Sequence, residues 1–446
     1  MKLIKKEKIF NWSRTNSCKA KIYYPENYTS LKKIIIDNYN SSISFKASGC
    51  SYGDCYLNDN GVIIDLNKLD KILEIDENAE TINVQCSVKM EKLLNYIMPK
   101  GFYLNSLPGS NNATVGGCIN SNVHGKDSFL NGVFANNIIN LKIMDSNGNI
   151  FDINNKDKRF VYSVGAYGLT YLILEAKLKI NSIKSTNLDV KIKKFNNYKE
   201  MLSLFDQFVN EKYNMMGAWV DHFSKEGRGI FKCAKWSNFK TQKYKKISFG
   251  NNIRRKITFY FIYPIAKIFF VNSIIIKKLN FLLFFFTKEK QLTQHFADFY
   301  FPQQKMLPEE SRLYMGGKVN IQILIPNNVI HNVLKEISIL SINHKLESWW
   351  LGIKKHKKSE FTMSYALNGY DITLQWSKKY IATKKFDIFY QKLIALIIKN
   401  KCLVYLTQDV LLSQKDFENI YHDYNDFYKM KIFADPKKIF SNNLFR

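Results

Sequence analysis

Residues 109–127 read GSNNATVGGCINSNVHGKD, a polar run in a chain otherwise crowded with Lys, Phe and Ile. Small polar residues are cheap in a surface linker, where nothing has to pack. Val115, Cys118, Ile119 and Val123 interrupt the run, however, and that pattern tucks the backbone into a core. A polar backbone drawn into a core needs partners for its N–H and C=O groups, and a bound ligand is the usual source. The stretch therefore reads as a ligand-binding loop.

A second glycine-rich stretch, KASGCSYGDCYLNDNG, starts upstream at Lys46. Neither loop is followed by the GKT or GKS of a P-loop, and neither carries GxGxxG on a strand-to-helix turn. ATP and Rossmann-type NAD binding are therefore disfavoured. What remains is a diphosphate held by backbone N–H groups of both loops, with glycine allowing close approach and positive φ. Gly116 and Gly117 are the expected points of closest approach, and Thr114 and Ser51 the hydroxyl donors.

The chain of 446 residues is too long for one core and suits two or three domains. With 46% apolar and 23% charged residues it is globular. Its 7 cysteines form no CxxC pair, so neither a metal site nor a disulfide scaffold is expected. The N-terminus, MKLIKKEKIFNWSRT, is basic without the apolar core of a signal peptide, and a cytoplasmic protein is the expectation. The formal net charge of +28 reflects either a lysine-rich composition or an anionic partner: nucleic acid, a membrane surface or a phosphorylated substrate. Zinc-finger, RNA-binding and repeat signatures are missing, so no nucleic acid is expected.

Periodicity predicts a helix after Tyr28, a strand ending near Phe45 and another in GVIIDLNKL. ILEIDENAETINVQCSV and NIINLKIMDSNGNIFDI read as hairpins, the second with an Asn-Gly turn. VKMEKLLNYIMPKG places Met90, Leu93, Leu94 and Ile97 on one helical face, with Gly101 at its end. The first 180 or so residues thus form an α+β unit. From about Ser185 to Asn400, strand-like VNIQILIP and YDITLQW alternate with helical KEMLSLFDQFVNE, an antiparallel sheet with helices. CLVYLTQDV opens the tail as a strand.

Three of these stretches, ASGCSYGD, LPGSNNATVGGCINSNVHGKD and VGAYGLTYLI, resemble the PCMH-type FAD-binding domain of the vanillyl-alcohol oxidase superfamily. Within it, the order of motifs resembles most the decaprenylphosphoryl-β-D-ribose 2′-oxidase family, with AWVDHFSKEGRGIF, LYMGGKVNIQILIP, LGIKKHKK and DPKKIFSNNL as further counterparts. The resemblance implies a two-subdomain FAD-binding domain over 1–184, a substrate domain over 185–400 and a segment, 401–446, that returns to the FAD domain. It implies a first pyrophosphate loop from Phe45 to Cys55, through Ser48, Gly49, Cys50, Ser51, Tyr52, Gly53 and Asp54. The second would use Gly109, Thr114, Val115, Gly116, Gly117, Ser121, Asn122 and His124, with Ile173 and Tyr405 as further flavin contacts. Tyr52 and His124 would lie near the isoalloxazine, while Lys355, Asn320, Gln322 and Thr373 would face the substrate.

Two positions depart from the pattern. Many relatives tether flavin through a His where Cys50 stands, and the resembled family has Arg there with a non-covalent flavin, so dissociable FAD is expected. Gln408, in YLTQDV, stands where that family has a Lys, and an amide can be neither general base nor cation. Thr373 likewise replaces the usual cysteine. Lys355, Tyr52 or His124 would then take the proton, unless the substrate differs or activity is lost.

Residues 253–290 are strongly apolar and aromatic, yet Lys267, Lys277 and Lys278 keep any run below the roughly 20 residues a spanning helix needs. They read either as a buried helical pair or as an element in the membrane interface, lysines toward phosphates. The resemblance favours the second. It implies a flavoenzyme that oxidises C2′ of a polyprenyl-phosphate-linked sugar, peripheral on the inner face of the membrane, with a separate NAD(P)-dependent reductase completing an epimerisation. The alternatives are a soluble aldonolactone or alditol oxidase, and a catalytically impaired flavin-binding protein of the membrane surface.

Overall fold

In the computed structural model, which describes residues 3–239, 244–247, 256–269, 272–302, 309–361 and 363–445, the N-terminal part is built on two sheets. In the first, β1 (Leu3–Phe10), β2 (Ser17–Tyr23), β3 (Ile43–Lys46) and β4 (Val62–Asp65) follow the order β1-β2-β4-β3. β4 runs parallel to both β2 and β3, so a crossover must join the strands. Helix α1 (Tyr28–Asp37) makes it, started by Asn27, which accepts the Ser30 amide in a capping box.

The second sheet follows the order β5-β6-β10-β8-β9 and is antiparallel, from β5 (Ile72–Asp76), β6 (Thr81–Gln85), β8 (Ile138–Met144), β9 (Ile150–Asn154) and β10 (Leu172–Lys179). Both hairpins read from the sequence are there. The short β7 (Phe102–Tyr103) pairs with β11 (Asn181–Ser182). Helix α2 (Met90–Ile97) buries Met90, Leu93, Leu94 and Ile97, the face its spacing marked. Gly101 follows in the left-handed region.

The polar run at 109–127 is not all loop. Thr114 accepts the Gly117 amide and caps a short helix, α3 (Val115–Asn120). Two glycines would weaken a free helix, but here Gly116 lets it lie close on its neighbour: a Cβ there would stand 2.9 Å from that of Cys86.

An eight-stranded sheet dominates the rest, in the order β15-β12-β14-β13-β17-β18-β16-β19. Its strands are β12 (Asn187–Phe195), β13 (Met215–Val220), β14 (Gly229–Trp236), β15 (Lys290–His295), β16 (Lys318–Pro326), β17 (Leu351–His356), β18 (Gly369–Ser377) and β19 (Leu403–Val404). Its neighbouring strands pair antiparallel throughout, and together with the N-terminal sheets this makes the fold α+β. Helices α4 (Tyr198–Asn210), α7 (Ile330–Asn343) and α8 (Lys384–Lys399) join one face in a core around Phe205, Leu334, Leu393 and Trp376. The other face fronts a cavity.

Of the apolar segment at 253–290, residues 253–255 and 270–271 lie outside the described ones. The described part holds helices α5 (Tyr263–Phe269) and α6 (Ser273–Phe286). They are not a buried pair: Tyr260, Phe261, Ile265, Ile274, Phe281 and Phe285 are exposed, while Tyr263 and Ile276 anchor the segment beside Leu313 and Trp349. Among the described residues, no helix is long and apolar enough to cross a membrane.

Candidate active site

One cavity of about 1290 Å³ lies between the glycine loops and the free face of the large sheet. That exceeds the roughly 300–1,000 Å³ of pockets holding one drug-sized ligand, so two ligands can share it. The first loop lines it from Phe45 to Tyr52. Gly49 adopts φ +63°, a conformation that glycine takes without strain.

The amides of Ser48, Gly49, Cys50, Ser51 and Tyr52 have no acceptor among the described residues, and the Ser48 hydroxyl is buried without a partner. Five consecutive unpaired amides on a cavity wall form a nest for an anion. This fits the pyrophosphate of a dinucleotide. The second loop contributes differently from the sequence expectation. The Val115 and Gly116 amides turn inward to the Val88 and Cys86 carbonyls, at 2.9 and 2.7 Å, and Gly117 donates to Thr114 Oγ1. Gly109, Thr114, Gly116, Gly117 and Ser121 line the cavity; Gly116 serves close packing on Cys86, while a Cβ at Gly109 would meet nothing within 4 Å.

Four expected cofactor contacts lie off the cavity. Gly53 instead donates to the Thr407 carbonyl at 2.8 Å, and a Cβ there would stand 2.6 Å from the carbonyls of Leu406 and Asp409. Its role is to let the first loop meet the C-terminal strand region. Asp54 is held by Asn11 and Asn16, both at 2.8 Å. Val115 is fully buried in the core, and Asn122 is buried with its carbonyl oxygen toward the Ala135 amide. Ile173 and Tyr405 do line the cavity, as does Cys50, whose thiol burial pushes up to about 11.

On the sheet side, register decides which residues enter. Asn320 pairs with Gln375, Gln322 with Thr373, Thr373 with Gly352, and Asp371 with Lys354. Opposed residues share a face, so Asn320, Gln322, Thr373 and Lys354 line the cavity together. Lys355 points to the other face, where its Nζ bonds Asp206 Oδ1 at 2.6 Å. The sequence expectation of Lys355 is corrected by one residue: the lysine that enters is Lys354.

Lys354 Nζ lies 3.1 Å from Asp371 Oδ2, and His124 Nε2 and His356 Nε2 each lie 3.2 Å from the same oxygen. Gln322 Nε2 contacts both Asp371 and His124. Burial alone would raise the Asp371 carboxyl, but Lys354, His356 and His124 hold it well below the usual range. Burial, aided by Lys354, pushes His124 down to about 3, so the ring is neutral at pH 7. His124, His356 and Asp371 bring metal-ligating atoms within 4.8 Å of one another. The Lys354 ammonium already supplies the positive charge there, which makes the group an ion cluster rather than a cation site.

A second cluster was not foreseen. Tyr52 Oη donates to Glu310 Oε1 at 2.9 Å, and Glu310 pairs with Lys318, a lysine only 1% exposed. Lys318 Nζ also lies over the Tyr52 ring, 4.9 Å from its centroid. Lys318 shares the parity of Asn320 and Gln322 in KVNIQ, so alternation alone marks it. Gln408 closes the site, its Oε1 accepting from Asn320 Nδ2 at 2.8 Å.

The fold and this cavity define a protein that holds a dinucleotide against a polar sheet. A family profile described as "FAD binding domain" matches residues 20–154. The chain is 22% identical to decaprenylphosphoryl-beta-D-ribose oxidase of Mycolicibacterium smegmatis over 99% of this chain and 97% of that protein. It is 20% identical to L-gulonolactone oxidase of Mus musculus over 48% of each chain. It is also 22% identical to D-arabinono-1,4-lactone oxidase of Kluyveromyces lactis over 40% of this chain and 35% of that one. The chain carries a PCMH-type FAD-binding domain, and its cofactor is FAD. It is an FAD-dependent oxidoreductase acting on CH–OH groups.

Proposed function

We propose that the protein oxidises a sugar hydroxyl to a ketone, at C2′ of a sugar carried on a polyprenyl phosphate. The observation that carries this reading is a cavity lined by two kinds of surface. Lys318, Asn320 and Gln322 supply polar groups, whereas Leu279, Leu283 and Phe286 of α6 supply an apolar wall. A free lactone needs only the first. Similarity to decaprenylphosphoryl-beta-D-ribose oxidase along the whole chain supports the same reading.

FAD, when bound, supplies the hydride acceptor. The chain's own residues hold the substrate and remove its hydroxyl proton. The Ser48–Tyr52 amides hold the pyrophosphate. Asn320 Oδ1, buried without a protein partner, accepts from a sugar hydroxyl. The proton leaves through Tyr52: its oxygen receives the substrate proton while its own passes to Glu310, 2.9 Å away. Burial and Glu310 hold the Tyr52 hydroxyl well above its ordinary value, which disfavours a lasting phenolate and suits such a relay. Burial pushes the Lys318 ammonium down, against the pull of Glu310 beside it. The protonated Cys50 thiol is no nucleophile, so the flavin stays non-covalent and is released on denaturation.

The exposed apolar face of α5 and α6, interspersed with Lys267, Lys277 and Lys278, lies in the interface of an anionic bilayer. The enzyme then meets its lipid-borne substrate at the inner face of the membrane. A separate NAD(P)-dependent reductase consumes the ketone and completes an epimerisation.

The test is an anaerobic flavin-reduction screen of lipid-linked and free sugars. Bleaching by a lipid-linked sugar supports the proposal; bleaching by free aldonolactones alone, with peroxide release in air, replaces it with a soluble lactone oxidase. Flotation with anionic liposomes tests the membrane contact, which Phe261→Ser with Phe285→Ser should abolish.

A further inference from the structure

Four lysines that line the cavity, Lys126, Lys232, Lys288 and Lys290, remain unexplained by flavin or sugar, and three of them are fixed by sheet register or by a loop contact. The sheet register sets Lys232 of β14 opposite Ile192 of β12, and Ile192 opposite Lys290 of β15. Both lysines therefore leave the sheet on one face, flanking an apolar residue, and both line the cavity. Lys126, from the second glycine loop, joins them: its Nζ donates to the Tyr300 carbonyl at 2.8 Å and lies 4.6 Å from that ring's centroid.

None of the three is ion-paired to a carboxylate among the described residues, for the cavity's own carboxylates are engaged elsewhere. Glu310 is taken by Lys318, Glu309 by Arg312 and Asp298 by Lys245. The lysines instead act on one another. Burial, then the charges of Lys354 and Lys232, push Lys126 down to about 7, against the pull of Asp127. Burial and Lys290 push Lys232 down. Lys126 is half-buried, and Lys232 and Lys290 are exposed at the cavity wall, so an anion entering the space they share meets cations that no carboxylate neutralises.

The anion is not the flavin's pyrophosphate, for which the Ser48–Tyr52 amides are the unpaired donors. Lys232 and Lys290 belong to the β14–β12–β15 half of the sheet, and Asn320, Gln322 and Thr373 to the β16–β18 half. Leu279 and Leu283 of α6 also line the cavity. Hydroxyl recognition and positive charge thus belong to different halves of the sheet, with an apolar wall in the same cavity. Lysines are point charges able to approach a many-sided anion from several directions, unlike the planar fork of arginine made for carboxylates.

We propose that Lys126, Lys232 and Lys290 form a phosphate subsite that receives the phosphodiester joining the sugar to its isoprenoid. The inference rests on the lipid-linked substrate proposed above and assigns which residues recognise its phosphate.

The experiment titrates the flavin-loaded protein with farnesyl phosphate, farnesol and inorganic phosphate. Quenching of tryptophan fluorescence is the readout, since Trp219 and Trp350 line the same cavity. Farnesyl phosphate should bind at least about tenfold more tightly than farnesol, a difference of about 1.4 kcal/mol. Inorganic phosphate should compete with it. The double variant Lys232→Gln/Lys290→Gln should bring farnesyl phosphate to the affinity of farnesol, with flavin content and farnesol binding unchanged. Equal affinities in the parent protein, or an undiminished preference in the double variant, would overturn the subsite. If lipid-linked sugar still bleaches the flavin in that event, the function stands and only the subsite falls. A phosphate preference lost in the double variant supports the subsite even where no sugar reduces the flavin.

Discussion

Asn320 donates one amide hydrogen to Gln408 Oε1 at 2.8 Å, while its own Oδ1 is buried with no partner. Gln408 thus orients an amide whose free oxygen faces the site. A lysine at 408 would offer donors only. Gln408→Lys should lower kcat/KM about 5- to 30-fold, the effect of 1–2 kcal/mol, with flavin content unchanged. Stopped-flow flavin reduction reads this directly, and a rise in rate would mean that the site lacks a cation there.

Lys354 and Lys355 are neighbours in sequence and opposite in effect. Removing Lys354 strips an ammonium from the fully buried Asp371 carboxylate. Lys354→Ala should cost about 3 kcal/mol in a urea melt, as expected for breaking a buried pair. Lys355 pairs with the well-exposed Asp206, so Lys355→Ala should cost less than about 1 kcal/mol.

Tyr52→Phe removes the hydroxyl that passes the proton to Glu310 but leaves the Glu310–Lys318 pair intact. The turnover number should fall about 10²- to 10⁴-fold, the range for loss of general acid–base catalysis. Substrate affinity, measured by equilibrium titration, should change little.

Asp409 sets a pH dependence of stability. Burial raises its carboxyl to about 7, against the Leu412 and Leu411 amides that favour the charged form. The folded state therefore binds its proton more tightly than the unfolded chain, whose carboxylate titrates near about 3.9. The contribution is full below about pH 4 and is lost as pH rises through 7. Asp409→Asn should flatten that slope, seen by comparing urea midpoints at pH 5 and pH 8.

What was legible in the sequence is what periodicity and glycine report. Met90, Leu93, Leu94 and Ile97 marked α2, and the two glycine loops do face one cavity. Helix α3 was hidden because Asn, Ser and Gly dominate the window and its support comes from Cys86, remote in sequence. The resemblance points to Lys355, inside a basic run that masks alternation. The apolar Leu351 and Ile353 give the parity, leaving Gly352, Lys354 and His356 on the other face. Lys232 and Lys290 meet only through the β12 register, which neither local segment encodes. Hydropathy could not place the 257–286 region, since buried and exposed apolar helices have the same composition.

Residues 403–445 enter both halves of the molecule. β19 pairs with β16, Tyr405 Oη donates to the Ser121 carbonyl at 2.9 Å, Ile43 donates to the Ile439 carbonyl at 2.7 Å, and Asn442 donates to Cys55. A nascent chain emerging from the ribosome amino end first cannot assemble the vitamin-derived pocket until residues 403–442 have emerged. Coenzyme uptake thereby waits on them, and nicks or stop codons ahead of residue 403 should yield colourless protein rather than a half-active enzyme.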